Sequence, residues 1–291
     1  MISEDLKEYL NHRTDGYFEF KKGDGENPYP IGYSIKSCVK KYFLSSAGNY
    51  FIKDFNSFTE SHPMVSAEVL LSRLLPKLGF KSVEYLPFVS SDGSLSVISK
   101  ELYGINISDG LEFFSEVMFK SPGRGNCFLN KDLLCFADEK NRGELNTINN
   151  FLQYADANFL RQLFLLRGVD LAIGNSDRNP ENLFVERDYN GVARNIITLD
   201  NEASGSIDCL SHNFYSEFGK RMPSKDLIKA FKENEDYQKY ITRFEIAETI
   251  ASAPFDETAR EVKDEMGFTV EPNFLDRMKS NTDMVAEELV K

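Results

Sequence analysis

The sequence predicts an α+β fold of two lobes: a small antiparallel, β-rich lobe with one helix over residues 1–103, and a larger helical lobe over residues 104–291. Three observations carry this. Short runs rich in aromatic and β-branched residues crowd the first hundred positions. Apolar residues at helical spacing take over beyond Gly104. One strand–turn–strand pattern, from Leu183 to Leu199, interrupts the helical half. With 41% hydrophobic and 27% charged residues, the 291-residue chain has the profile of a globular protein able to bury a substantial core.

The elements follow in order. Tyr17-Phe18-Glu19-Phe20 alternates as a short strand does, and a polar loop with Gly23, Gly25, Pro28, Pro30 and Gly32 follows it. Val39 to Leu44 and Asn49 to Lys53 flank a Ser-Ser-Ala-Gly turn and read as a hairpin. Val65, Val69, Leu70, Leu74 and Leu75 make a helix of Met64 to Leu75, closed by Pro76 and Gly79. Val83 to Val89 and Leu95 to Ser99 read as two more strands joined by Ser-Ser-Asp-Gly. Leu111 to Phe119, Lys131 to Ala137 and Ile148 to Ile173 read as helices, the last carrying Phe159, Leu160, Leu163, Phe164, Leu166 and Leu171 as a buried central element. After the hairpin comes a polar stretch, Asn201 to Pro223, and then helical segments.

Composition excludes several classes. A formal charge of −12 disfavours both a nucleic-acid surface and an anionic membrane, since each needs clustered Lys and Arg. The opening Met-Ile-Ser-Glu-Asp-Leu-Lys-Glu is too acidic for a secretory signal. The most apolar stretch, Leu160 to Ile173, is interrupted by Arg161, Arg167 and Asp170 and does not read as a membrane span. Cys38, Cys127, Cys135 and Cys209 lack paired spacing and His12, His62 and His212 lie near no such pair, so a zinc site is not expected. Scattered thiols in a chain of this length read as reduced and cytoplasmic.

The chemistry concentrates in residues 174–204, GNSDRNPENLFVERDYNGVARNIITLDNEAS. A strand from Leu183, a turn at Asn190-Gly191 and a returning strand to Leu199 bring Asn182 and Asp200 to one rim, with Asp177 in the loop before. An amide oxygen and a carboxylate are hard ligands suited to Mg²⁺, which takes its other ligands from water and phosphates. A further carboxylate nearby, off the metal, can accept a proton from an attacking hydroxyl. Against this stands a structural reading, because Asn-Pro-Glu-Asn is good turn material and loop acids are usually solvated. A calcium loop fits less well, with Asn182 where Gly is required and Asp188 where Glu is required.

The pattern Asp, four residues, Asn, hairpin, Asp resembles the catalytic loop and metal-binding Asp of protein kinases. More narrowly, LAIGNSDRNPENLFV with ITLDNEAS resembles the HipA-like serine/threonine kinases, whose loop lacks His-Arg before the Asp. Here Glu202 stands where that family carries glycine, and Asn179 where ordinary protein kinases carry lysine. The resemblance implies a protein-kinase-like fold and assigns further parts. Lys53, ending NYFIK, matches the phosphate-pairing lysine, expected at a cleft edge with little core packing. Glu68 matches the glutamate that holds it, and Ser99, Lys100, Glu101 and Leu102 fall in a hinge that faces adenine. The segment GDGENPYPIGYSIKSC either covers phosphates with its N–H groups and Lys36 or Lys40, or is a surface loop.

The resemblance implies ATP and Mg²⁺ as cofactors, Asp177, Lys53 and Glu68 as the catalytic set, and Asn182 and Asp200 as metal ligands. It implies transfer of the γ-phosphate to a Ser or Thr hydroxyl of a protein, with Ser34 and Ser37 as autophosphorylation candidates, and admits an antitoxin-like partner. Two other readings stand beside it. Small-molecule kinases of the aminoglycoside/choline type share the spacing and often carry an acid where Glu202 is, but usually have His-Gly where this chain has Asn175-Ser176. A non-catalytic nucleotide-binding scaffold would need neither a base nor a complete metal site.

Overall fold

The computed structural model describes residues 18–19, 38–45, 48–55, 58–89, 95–100, 102, 106–119, 151–205, 209–215 and 221–291. An antiparallel sheet dominates the N-terminal part and helices dominate the C-terminal part, the α+β arrangement expected. The expected helix at Lys131 to Ala137 and the boundary at residues 103 and 104 lie outside the described residues.

The first sheet contains β1 (Phe18–Glu19), β2 (Cys38–Ser45), β3 (Gly48–Phe55), β5 (Tyr85–Val89) and β6 (Leu95–Lys100), in the order β1-β2-β3-β6-β5. β2 and β3 form the expected hairpin, closing at Ser45 opposite Gly48. β3 is central, with Lys53 opposite Lys40 on one side and Val97 on the other. Side chains alternate along a strand, so Lys53 shares a face with Phe55, the face covered by α1 (Phe58–Lys77). Pro87 is tolerated in β5 because that strand is an edge of the sheet.

Helix α1 is longer than the Met64–Leu75 run suggests, and Pro76 does not end it. Its end is a Schellman turn: Phe80 N–H donates to Leu75 O and Gly79 N–H to Pro76 O, with Gly79 at φ 91°. Val65, Val69, Leu70, Leu71, Leu74 and Leu75 are all buried, since α1 lies between the sheet and α7 (Phe255–Met266).

The second sheet places the site. Its order is β4-β9-β8-β7, from β4 (Lys81–Ser82), β7 (Ile107–Asp109), β8 (Leu183–Arg187) and β9 (Ala193–Thr198). The expected strand from Val83 to Val89 is shorter, starting at Tyr85, and an unexpected strand precedes it: β4 runs parallel to β9, with Val83 N–H donating to Thr198 O at 2.9 Å, while β5 returns to the first sheet. The chain's first hundred residues are thereby stitched to the returning strand of the hairpin. Its turn is built by Asp188, whose Oδ1 accepts from Asn190 and Val192 N–H, with Gly191 at φ 81°.

The central helix α3 runs from Ala157 to Ala172, not from Ile148. Asp156 caps it, its Oδ1 accepting from Phe159 N–H at 2.7 Å, and the chain turns at residues 152–154 before it, with Ala155 bridged to Ala193. The polar stretch after Asn201 contains a small ribbon, β10 (Asn213–Tyr215) with β11 (Arg221–Pro223). Helices α4 (Ser224–Glu233), α5 (Glu235–Gln238), α6 (Arg243–Ala251), α7 and α8 (Pro272–Val290) complete the fold. One apolar core runs from Phe55 through Val97 and Leu163 to Leu289. No helix among the described residues is long and apolar enough to cross a membrane.

Candidate active site

Lys53 is the centre of a buried charge cluster. Its Nζ donates to Glu68 Oε1 in a short contact, to Asp200 Oδ1 at 2.7 Å and to Glu202 Oε2 at 3.3 Å. Only 7% of Lys53 is exposed, so it is a buried cation rather than the cleft-edge residue the sequence suggests. Burial pulls its pKa down, but Asp200, Glu68, the Tyr85 hydroxyl and Glu202 outweigh that and hold the ammonium well above its ordinary value. The Tyr85 ring lies 5.4 Å from Nζ, and burial pushes its phenol upward. Three carboxylates, those of Glu68, Asp200 and Glu202, face this one ammonium.

The segment carrying Asp200 is held on every side. Asp200 N–H donates to the Tyr85 hydroxyl at 3.2 Å, and Asn201 N–H donates to Glu68 Oε2 at 2.8 Å. Asp200 has φ 58° and is the one non-glycine residue with positive φ among the described residues. Asp enters this region more readily than most residues, but a strained backbone at a charged cluster is what a functional position shows. Glu202, two residues after this left-handed position, turns its buried carboxylate to Lys53.

Asp177 lies in a loop shaped by amides. Asn175 Oδ1 accepts from Asp177 N–H at 3.2 Å. Asn182 Nδ2 donates to Asp177 O at 2.7 Å, and Asn179 Nδ2 to the same carbonyl at 3.2 Å. Asn179 also caps the 3₁₀ turn Pro180–Asn182, its Oδ1 accepting from Glu181 N–H, so the residue replacing the usual lysine is architectural. The Asp177 side chain is half-buried. Leu183 pairs with Thr198 and Leu199 N–H donates to Asn182 O at 3.3 Å, so Asn182 and Asp200 stand at the same end of the hairpin.

Carboxylate oxygens of Glu68, Asp200 and Glu202 lie within 4.8 Å of one another. With Asn182 Nδ2 committed to the loop, its Oδ1 is the atom suited to a metal. Oxygen donors of this kind are the ones that suit Mg²⁺.

Sequence reasoning missed a second buried polar group here. Arg178, Arg167 and Asp170 are all at most 2% exposed and bond to one another. Their signal was present: two of them interrupt the apolar run of α3, and charges inside a buried helix must be paired. Tyr85 and Glu202 were also missed as members of the cluster. Of the proposed hinge, Ser99 is buried between Phe51 and Tyr85, Lys100 and Leu102 are exposed, and Glu101 lies outside the described residues. Ser34, Ser37 and Lys36 also lie outside them.

No protein-family model and no curated protein matches the chain. Among solved structures, the chain is similar to the proinflammatory kinase CtkA of Helicobacter pylori, at 15% identity and a TM-score of 0.46 over 90% of this chain and 92% of that one. It is similar to HipA of Shewanella oneidensis, solved with HipB and its operator DNA, at 12% identity and a TM-score of 0.49 over 99% of this chain and 70% of that one. It is similar also to choline kinase LicA of Streptococcus pneumoniae, at 15% identity and a TM-score of 0.30 over 88% and 92%.

Proposed function

We propose that the chain is an ATP-dependent kinase that transfers the γ-phosphate to a Ser or Thr hydroxyl of a protein. The observation that carries the reading is the contact of Lys53 with both Glu68 and Asp200, in the segment tied to the loop of Asp177. Lys53, held by Glu68, would pair with nucleotide phosphates, exchanging carboxylate for phosphate oxygens. Asp200 and Asn182 would hold Mg²⁺, which when bound supplies charge neutralisation at the β- and γ-phosphates. Asp177 would accept the proton of the attacking hydroxyl as its oxygen bonds phosphorus. The end of β6 at Lys100 and Leu102, with Glu101, would receive adenine.

Incubation with γ-labelled ATP, with and without Mg²⁺, followed by mass spectrometry of the products, tests this. Mg²⁺-dependent label on Ser or Thr, absent from Asp177→Asn, supports it; no transfer to protein or small acceptor supports the scaffold reading. Peptide mapping of the same samples locates any label on Ser34 or Ser37, where added negative charge would weaken ATP binding. The buried Glu202 favours one alternative, a small-molecule acceptor, as in aminoglycoside and choline-type kinases. Label on an amino-alcohol or aminoglycoside rather than protein would select it. The HipA-like resemblance extends the proposal to a cytoplasmic enzyme with an antitoxin-like protein partner, without direct nucleic-acid or membrane binding.

A further inference from the structure

Arg178 follows the proposed proton acceptor, yet its side chain points away from substrate into the protein. Its Nε donates to Asp170 Oδ1 at 3.1 Å. Its Nη1 donates to Leu199 O in a short contact and to Asn182 O at 3.5 Å, and its Nη2 makes a short contact with Asn201 Oδ1. Those acceptors come from helix α3, from the end of the Asp177 loop and from both neighbours of Asp200. Arg167 steadies the assembly, its Nη1 donating to Asp170 Oδ2 at 3.3 Å and to Arg178 O at 2.7 Å.

We propose that Arg178 is a positioning residue that locks the loop of Asp177 to the segment of Asp200, so that proton acceptor and metal-holding carboxylate keep one separation. The proposal rests on the phosphotransfer reading. Protein kinases place an arginine before the catalytic Asp, and this chain places one after it. The geometry suits the task because a guanidinium is a rigid fork whose donors reach several acceptors at fixed angles, which a lysine ammonium cannot do. Asn201 joins this clamp to the Lys53 cluster: its side chain accepts from Arg178 while its N–H donates to Glu68. One continuous chain of bonds therefore runs Lys53–Glu68–Asn201–Arg178–Asp170.

Arg178→Lys and Asn201→Leu test it in the full-length chain. Amide hydrogen exchange of the ligand-free protein should quicken at residues 175–183 and 199–205 while α8 stays unchanged. ATP affinity without metal should hold, the Mg²⁺ concentration needed for half-maximal ATP binding should rise, and turnover should fall about 10–100-fold, as for outer partners of a metal site. The double variant should be no worse than Arg178→Lys, because both remove one path. Exchange that quickens equally in α8, or turnover and Mg²⁺ dependence that match wild type, would overturn the proposal. If Arg178→Lys does not fold, Asn201→Leu is read by the same criteria. A wild type that binds no Mg·ATP would sink the phosphotransfer reading instead, and exchange alone would then decide whether the clamp exists.

Discussion

Lys53 and Asp200 are 147 positions apart in the chain, yet the ammonium of one lies 2.7 Å from the carboxylate of the other. The parallel pairing of β4 with β9 makes this possible, since it sets the end of the hairpin against the first sheet. Removing the ammonium takes from the fully buried Glu68 the cation that faces it. Lys53→Met should therefore cost stability as well as nucleotide binding, by about 3–5 kcal/mol, the usual result of orphaning a buried charge. Urea denaturation at pH 7 measures it. The deficit should narrow toward pH 5 as Glu68, whose carboxyl burial pushes upward, takes up a proton; a variant as stable as wild type would mean the cluster is open to solvent.

Alkaline titration reads the same cation from the other side. The folded-state pKa of Lys53 is raised, so its stabilisation is fully present below its unfolded value of about 10.4 and declines as pH rises through the folded value. Wild type should lose stability above about pH 10.4 more steeply than Lys53→Met. Parallel curves for the two proteins between pH 9 and 11 would contradict the assignment.

How much of this was legible in sequence depended on whether a residue's neighbours were local. The hairpin was, because alternation and Asn190-Gly191 specify it within its own residues. Asp177, Asn182 and Asp200 were singled out by spacing along that same unit, and Lys53 and Glu68 by the type of run around them. Arg178, Glu202 and Tyr85 were not, because each acquires its role only when distant elements close around it. The start of α3 was overestimated because apolar content continues upstream of Asp156, while the side chain of that one residue satisfies the N–H that starts the helix. The short strand β4 was hidden for a related reason: it is defined by its partner β9, not by its own residues.

Asp200→Asn should remove the Mg²⁺ enhancement of ATP affinity while leaving metal-free binding near wild type. Asparagine is the substitution of choice because it also tolerates φ 58°, so backbone strain is not confounded with ligand loss. A fall on the order of 10–100-fold in Mg·ATP affinity is expected, since even outer partners of a metal cost that much. Calorimetry with and without Mg²⁺ decides it, and an undiminished enhancement would move the metal to other residues.

Asp177→Asn separates chemistry from binding. The change is isosteric, the side chain is only half-buried, and the shorter loop bonds are made to the Asp177 backbone by Asn175, Asn179 and Asn182, while the 3.4 Å bond from Asn179 Nδ2 to Asp177 Oδ1 can be kept by an amide oxygen. The fold and Mg·ATP affinity should therefore survive, with thermal unfolding unchanged within about 1 kcal/mol, the ordinary range for a partly exposed substitution. An amide cannot take the proton of an attacking hydroxyl, so turnover should fall on the order of 10²–10⁴-fold, the usual worth of a positioned base. Single-turnover transfer from γ-labelled ATP gives the number directly. Turnover within a few-fold of wild type would remove Asp177 from the chemistry and leave its loop a structural feature.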